Sequence, residues 1–191
     1  MRTVQPIKDV ELIRQIAEDL KEKCFRDYLM FLFGIYTGLR ISDILKLRVK
    51  DVRNKDYITL YEQKTGKEKR FLIHPDIKPE IKKFTENLKD YEYVFASRQG
   101  TNKPISRARA YDILKEVAKN YNIDSLGTHS MRKTFGFFLY EQSKDIVIVK
   151  ELFNHADIGT TLRYIGVIQE TKDQAVKKLK ILNLHKEKGG K

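Results

Sequence analysis

Residues 128–164 read THSMRKTFGFFLYEQSKDIVIVKELFNHADIGTTLRY. Their apolar positions recur at helical spacing, and the spacing predicts helices over 129–142, 146–153 and 158–164. Lys144-Asp145 and Asp157 to Gly159 supply the breaks. A further helix follows over 171–183, with Ala175, Val176, Leu179 and Leu182 on one face for packing in cis or in trans.

Upstream, Ser106 opens a helical stretch to about Asn120, with Ala110, Ile113, Leu114, Val117 and Ala118 on one side. Near the amino terminus, Val10, Ile13, Ile16, Ala17 and Leu20 mark an amphipathic helix over 9–23. The run Phe25 to Tyr36 reads as a more buried helix ending near Gly38, and Ser42 as the cap of a short helix over 42–47. Pro79 to Lys89 reads as another helix, Tyr93 to Phe95 as a short strand or extended piece, and Gln99 to Pro104 as loop. Between them, Tyr57, Thr59 and Tyr61 alternate with Ile58 and Leu60, and Phe71 and Ile73 lie in a second β-favouring run. The Lys-Thr-Gly-Lys turn joining these runs predicts a hairpin with a basic tip. The expected fold class is α+β, mostly α: a helical domain over 1–185 with one small antiparallel sheet, and a flexible tail over 186–191.

The chain has 191 residues, 41% of them hydrophobic and 10% aromatic, enough to bury one core. Thirty-eight Lys and Arg against 26 Asp and Glu leave a charge of +12, which favours a polyanionic partner, nucleic acid ahead of membrane. The single Cys24 excludes an intrachain disulfide and a cysteine cluster for zinc, and reads as a small hydrophobe beside an apolar run. That run is far too short to span a bilayer, and MRTVQPIKDV lacks the apolar core of a signal peptide. The expectation is a cytoplasmic location, in association with the nucleoid, and no membrane partner.

Charge reports on solubility before it reports on function, so the motifs decide. TGLRISD sets Arg40 after a glycine turn, HSMR sets His129 and Arg132 one turn apart on one helix face, and NHADIGTTLRY sets His155 nine residues before Tyr164. A phosphodiester nearing its pentavalent transition state gathers negative charge on its non-bridging oxygens, which two guanidinium forks can bond bidentately. Arg40 and Arg132 suit that task, whereas a lone arginine is by default a surface ion-pair partner. Free phenols ionise near pH 10, so a nucleophilic Tyr164 needs cations or a proton acceptor beside it. His129 is the first candidate acceptor, and His155 a candidate donor to the phosphate.

Taken together, these segments resemble the tyrosine recombinase or phage integrase family, whose catalytic domains carry Arg, Lys, His-x-x-Arg, His and Tyr in this order. The resemblance covers roughly Pro6 to Leu184. It implies catalytic roles for Arg40, Lys64, His129, Arg132, His155 and the nucleophile Tyr164, with Asp43 in support. Lys64, Lys67 and Lys69 compete for the hairpin lysine that protonates the leaving 5′ oxygen. Lys64, in QKTG where the first strand meets the turn, is preferred, and Lys67 is the reserve. Asp43 could brace Arg40 or the helix start, or be a solvated charge.

The implied reaction is site-specific recombination: strand cleavage through a 3′-phosphotyrosyl link and rejoining by another strand's 5′ hydroxyl. The bond energy stays in the phosphotyrosine, so no cofactor, metal or ATP is expected. The implied partner is double-stranded DNA, held by a homo-tetramer on paired sites with a monomer possible off DNA. Members usually carry an amino-terminal clamp domain, which this sequence is expected to lack, as a piece of a longer protein or as a single-domain relative; without the clamp, affinity should be weaker and strongly salt-dependent. Two positions depart from the pattern: Asn154 where Gly usually precedes the second histidine, and Lys133 where a histidine is common. Two rival readings remain, a DNA-binding relative without turnover and a type IB topoisomerase-like relaxation.

Overall fold

A computed structural model describes residues 4–61, 66, 68–167 and 176–177. Its centre is α2 (Phe25–Thr37), whose Leu29, Met30, Phe31 and Phe33 are fully buried. A helix so uniformly apolar has no face to offer water, so it needs neighbours on every side. They are α1 (Val10–Lys23), α5 (Lys78–Thr85) and α7 (Thr128–Ser143). Asp9 caps α1 by accepting from the Glu11 and Leu12 amides at 2.8 and 3.2 Å. Cys24, half-buried, joins α1 to α2.

α2 ends at Gly38, whose φ of 63° lies in the left-handed region where a Cβ is penalised. This sharp stop delivers Leu39 to the core and leaves Arg40 exposed at the start of α3 (Ile41–Ile44). Ser42 lies inside that helix rather than at its cap, and the helix stops at Ile44 rather than continuing to 47. The reason is that Arg40, with extended backbone, already supplies the capping carbonyl, accepting from the Asp43 and Ile44 amides at 2.8 and 3.0 Å. A second short helix, α4 (Val49–Val52), follows.

The hairpin is antiparallel, with β1 (Tyr57–Tyr61) pairing β2 (Glu68–Leu72) in the register Tyr57 to Leu72 and Tyr61 to Glu68. Ile58 turns into the core while Tyr57, Thr59 and Tyr61 face out, as the alternation required. A 3₁₀ turn at Pro75–Ile77 leads into α5, which ends at Thr85, short of the expected 89. Tyr93 to Phe95 forms no continuous strand: Tyr93 makes an isolated bridge with Arg48, Val94 and Phe95 turn, and Ala96 bridges Pro104.

The carboxyl-terminal half follows the predicted helices closely. Ser106 caps α6 (Arg107–Asn120), and Asp145 caps α8 (Ile146–Phe153). Asp157 caps α9 (Ile158–Tyr164), accepting from the Thr160 amide at 2.8 Å. α8 and α9 form a small second cluster around Val149, Phe153 and Ile165. α7 joins the two packing units: its Met131 lies in the main core, while Phe135, Phe137, Leu139 and Tyr140 line the second. Gly136 makes the closer approach possible, since a Cβ there would stand 2.7 Å from both Ile165 and Phe153 side chains. The helix expected over 171–183 and the tail over 186–191 lie, apart from Val176 and Lys177, outside the described residues. Among the described residues no helix is long and apolar enough to cross a membrane.

Candidate active site

Five of the residues singled out in the sequence meet where α7, the α3 start and the α8–α9 connection converge. His129 sits on the first turn of α7 with its Nδ1 3.3 Å from the Tyr164 hydroxyl. Arg132, one turn on, is 5% exposed. It donates from one guanidinium nitrogen to the Gly38 carbonyl and from another to the Phe153 carbonyl at 3.1 Å. The guanidinium carbon stands 4.1 Å from the Phe153 ring centroid. Arg132 thus ties the end of α2 to the end of α8 and also interacts with the Tyr164 hydroxyl, with N–H groups of its five left for another acceptor. Burial pulls its pKa down to about 10, so it is still a cation at neutral pH.

Arg40 differs in kind. It is exposed, and its guanidinium has no hydrogen-bond or ion-pair partner among the described residues. It lines a cleft of about 790 Å³ with Asp43, Lys69, Arg132 and Asn154. An adjoining pocket of about 280 Å³ is lined by Arg40, Arg107, His129 and Arg132. Three arginines, Arg40, Arg107 and Arg132, therefore border the same open space. Asp43 does not brace Arg40 by a hydrogen bond or ion pair among the described residues; it accepts a long one, 3.4 Å, from Ser42. Its charge acts on Arg132, favouring the cation.

His155 lies between α8 and α9, and Asn154 places it there. Asn154 adopts φ 54° and ψ 45°, the left-handed cap that asparagine tolerates better than most residues. The His155 Nδ1 is 3.1 Å from the Thr161 hydroxyl, which fixes the ring and leaves Nε2 for another partner. Its ring stands edge-on to Tyr164 with centroids 5.1 Å apart, and Phe153 packs edge-on against both.

The electrostatics are strongly cationic. Burial raises the Tyr164 pKa, while Arg132 and Arg40 oppose the rise. For both histidines burial is the leading cause of a lowered pKa, with Arg132 and Arg40 adding to it, and Lys133 as well for His129. Below an already mildly acidic ordinary value, both rings are neutral at pH 7. A neutral His129 beside an un-ionised phenol can accept its proton.

Lys64 and Lys67 lie outside the described residues; Lys69, on β2, borders the cleft with Arg40. Among the described residues no group of three or more His, Cys, Asp or Glu is placed to hold a metal ion. Sequence reasoning missed Phe153, the aromatic floor beneath Arg132, His155 and Tyr164, because a phenylalanine on an apolar helix looks like ordinary core. It also missed Arg107, which borders both spaces from the start of α6 and had no signal beyond a basic dipeptide pattern.

Comparison with known proteins bears on the family and the fold. A family model described as the phage integrase family matches residues 6–170. The probable integrase/recombinase YoeC of Bacillus subtilis strain 168 is 45% identical over 177 residues, spanning 93% of this chain and 97% of that protein. Tyrosine recombinase XerA of Pyrococcus furiosus is 29% identical over 175 residues, where the match takes 90% of this chain but 61% of the longer relative. In structure, the chain superposes on XerA recombinase with a TM-score of 0.73 at 17% identity, covering 93% of this chain and 66% of that one. XerH in its post-cleavage complex with difH gives 0.68 at 18% identity, over 92% and 54% of the two chains. By its family match and its relatives, the chain belongs to the phage integrase family and has the mostly helical catalytic domain of a tyrosine recombinase.

Proposed function

We propose that this chain carries out site-specific DNA recombination, cleaving and rejoining strands through a 3′-phosphotyrosyl bond to Tyr164. The observation that carries the reading is the 3.3 Å approach of His129 Nδ1 to the Tyr164 hydroxyl beside a buried, still cationic Arg132. The phenol oxygen attacks the scissile phosphorus while His129 takes its proton. Arg40 and the uncommitted N–H groups of Arg132 bond the non-bridging oxygens as their charge grows, and His155 donates from Nε2. The bond from phosphorus to the 5′ oxygen breaks, and that oxygen takes a proton from a hairpin lysine, Lys64 by resemblance, with Lys67 and Lys69 as alternatives. Attack by a 5′ hydroxyl of another strand reverses the sequence and frees the phenol.

The net charge of +12 supports double-stranded DNA as substrate, as do the DNA complexes in which the structurally similar XerH has been solved. Recombination of two duplexes calls for four protomers. Exposed Val147, Ile148 and Ile158, on α8 and α9, offer apolar surface to a neighbouring copy. A pool of nicked duplexes with randomised core sequence tests the reading. Wild type should trap a denaturation-resistant adduct that Tyr164→Phe does not form; binding without any adduct contradicts it. Strand exchange between two selected duplexes, against relaxation of a single supercoiled circle, separates a recombinase from a topoisomerase.

A further inference from the structure

The chain before α1 is not a loose lead-in. Residues 4–8 form a strap along α7, passing Gly127 at one end and Gly166 at the other, where a Cβ would stand 3.3 Å from Val4 and from Pro6 respectively. Ile7 is 5% exposed, and its amide donates to the Thr134 hydroxyl at 2.8 Å. Lys8 donates to the Gly166 carbonyl at 3.0 Å and lies 4.9 Å from the Phe137 ring centroid. Gly166 is two residues beyond Tyr164, so the strap holds the end of the segment that carries the phenol.

Lys133 links strap and phenol directly. It is 5% exposed, donates from Nζ to the Val4 carbonyl at 2.7 Å, and lies over the Tyr164 ring at 5.1 Å from the centroid. It has no carboxylate partner among the described residues. An ammonium buried with one carbonyl and one aromatic face is costly to desolvate, and a residue kept there at that cost has a use. We infer that Lys133 is a positioning residue for Tyr164, clamping its ring to the amino-terminal strap so that docking of the strap and reactivity of the phenol are coupled.

A cation over a ring face is drawn to the ring's negative quadrupole, and the attraction grows as the phenol gives up its proton. The contact therefore fixes the ring plane and favours the attacking state over the resting one. The other charged or titratable groups around Tyr164 are His129 and Arg132 from α7, Arg40 before α3 and His155 from the α8–α9 connection. Lys133 touches both sides, bonding the strap at the Val4 carbonyl and covering the Tyr164 ring.

The inference rests on Tyr164 as nucleophile, and its test has a readout that needs no DNA. Tyrosine-ring-labelled protein is examined by NMR at neutral pH, with the Tyr164 signal assigned by Tyr164→Phe. That signal should move in Lys133→Met and in a chain lacking residues 2–4, in the same direction. On the selected nicked duplex, Lys133→Met should slow adduct formation about tenfold with unchanged DNA affinity. Lys133→Arg should restore most of the rate, and adding the deletion to Lys133→Met should slow it no further. Because burial lowers the Lys133 pKa, the advantage of wild type over Lys133→Met is present at neutral pH and fades as pH rises through that lowered value, below 10.5. A structural role alone would leave that ratio flat. An unmoved Tyr164 signal beside a Tyr164-dependent adduct overturns the inference alone, and so does a flat ratio. An adduct that does not depend on Tyr164 overturns the functional reading beneath it.

Discussion

The main core around α2 and the small cluster around α8 and α9 are built to different standards. The first encloses Leu29, Met30, Phe31 and Phe33 without exposure, and it presents Arg40 on a short, sharply capped helix. The second has three buried residues among those described, Val149, Phe153 and Ile165, yet it carries His155 and Tyr164. The proposed phosphate-binding Arg40 therefore rests on the larger core, and the proposed nucleophile Tyr164 on a unit that, among the described residues, buries less and so should open more easily. α7, through His129 and Arg132, sets one against the other, and the strap of residues 4–8 spans them as well, with Ile7 in the main core and Lys8 bonded to Gly166. A reaction in which a strand must be released and another admitted has use for a nucleophile on the more yielding side.

Removing Arg132 should break the connection most severely. Arg132→Ala loses a guanidinium at the phosphate and both carbonyl ties, to Gly38 and Phe153. Adduct formation should fall about 10²–10³-fold, measured by single-turnover cleavage, and Arg132→Lys should recover charge without the double tie and little of the rate. Phe153→Ala empties the floor of the weaker unit, a change that typically costs about 3–5 kcal/mol. Amides of α8 and α9 should lose hydrogen-exchange protection before those of α2; uniform loss would show the two units to be one.

Acidity sharpens the contrast further. Because His129 is held neutral by burial and nearby cations, cleavage should persist as pH drops through 6.5 and decline only through the lowered pKa beneath it. Stability has the same sign: a histidine with a depressed folded pKa destabilises the fold only where the unfolded chain would be protonated, below about pH 6.5. His129→Ala should remove that acid limb, leaving a slow reaction that climbs with pH toward phenol ionisation; an unchanged limb would assign it to another group. The smallest effect is at Asn154, whose left-handed backbone glycine adopts without penalty. Asn154→Gly should leave the melting temperature within a few degrees and the rate within about twofold.

Much of this was written in the sequence where local rules govern. The periodic helices from Arg107 to Tyr164 fell within a residue or two of their predicted ends, because Ser106, Asp145 and Asp157 are caps with a mechanism. Short elements were not legible: α4 is four residues held by packing and by the Arg48 amide donating to Asp51 at 2.8 Å, with no periodicity to read. The site was legible as a set of side chains, since the ordered Arg, His-x-x-Arg, His and Tyr pattern does not depend on knowing the fold. What it could not convey was division of labour. That Arg132 is half structural and Arg40 unencumbered follows from where α2 and α8 end, and Lys133 gains meaning only once residues 4–8 are seen lying over it.

The central claim is a bond to one oxygen atom, and the most direct measurement is to find it. After trapping on a nicked duplex and exhaustive nuclease and protease digestion, tandem mass spectrometry should locate a nucleotide 3′-phosphate on the phenol of Tyr164, with a free 5′ hydroxyl on the released strand. A nucleotide on any other residue, or a hydrolytic nick with no protein attached, would contradict the account.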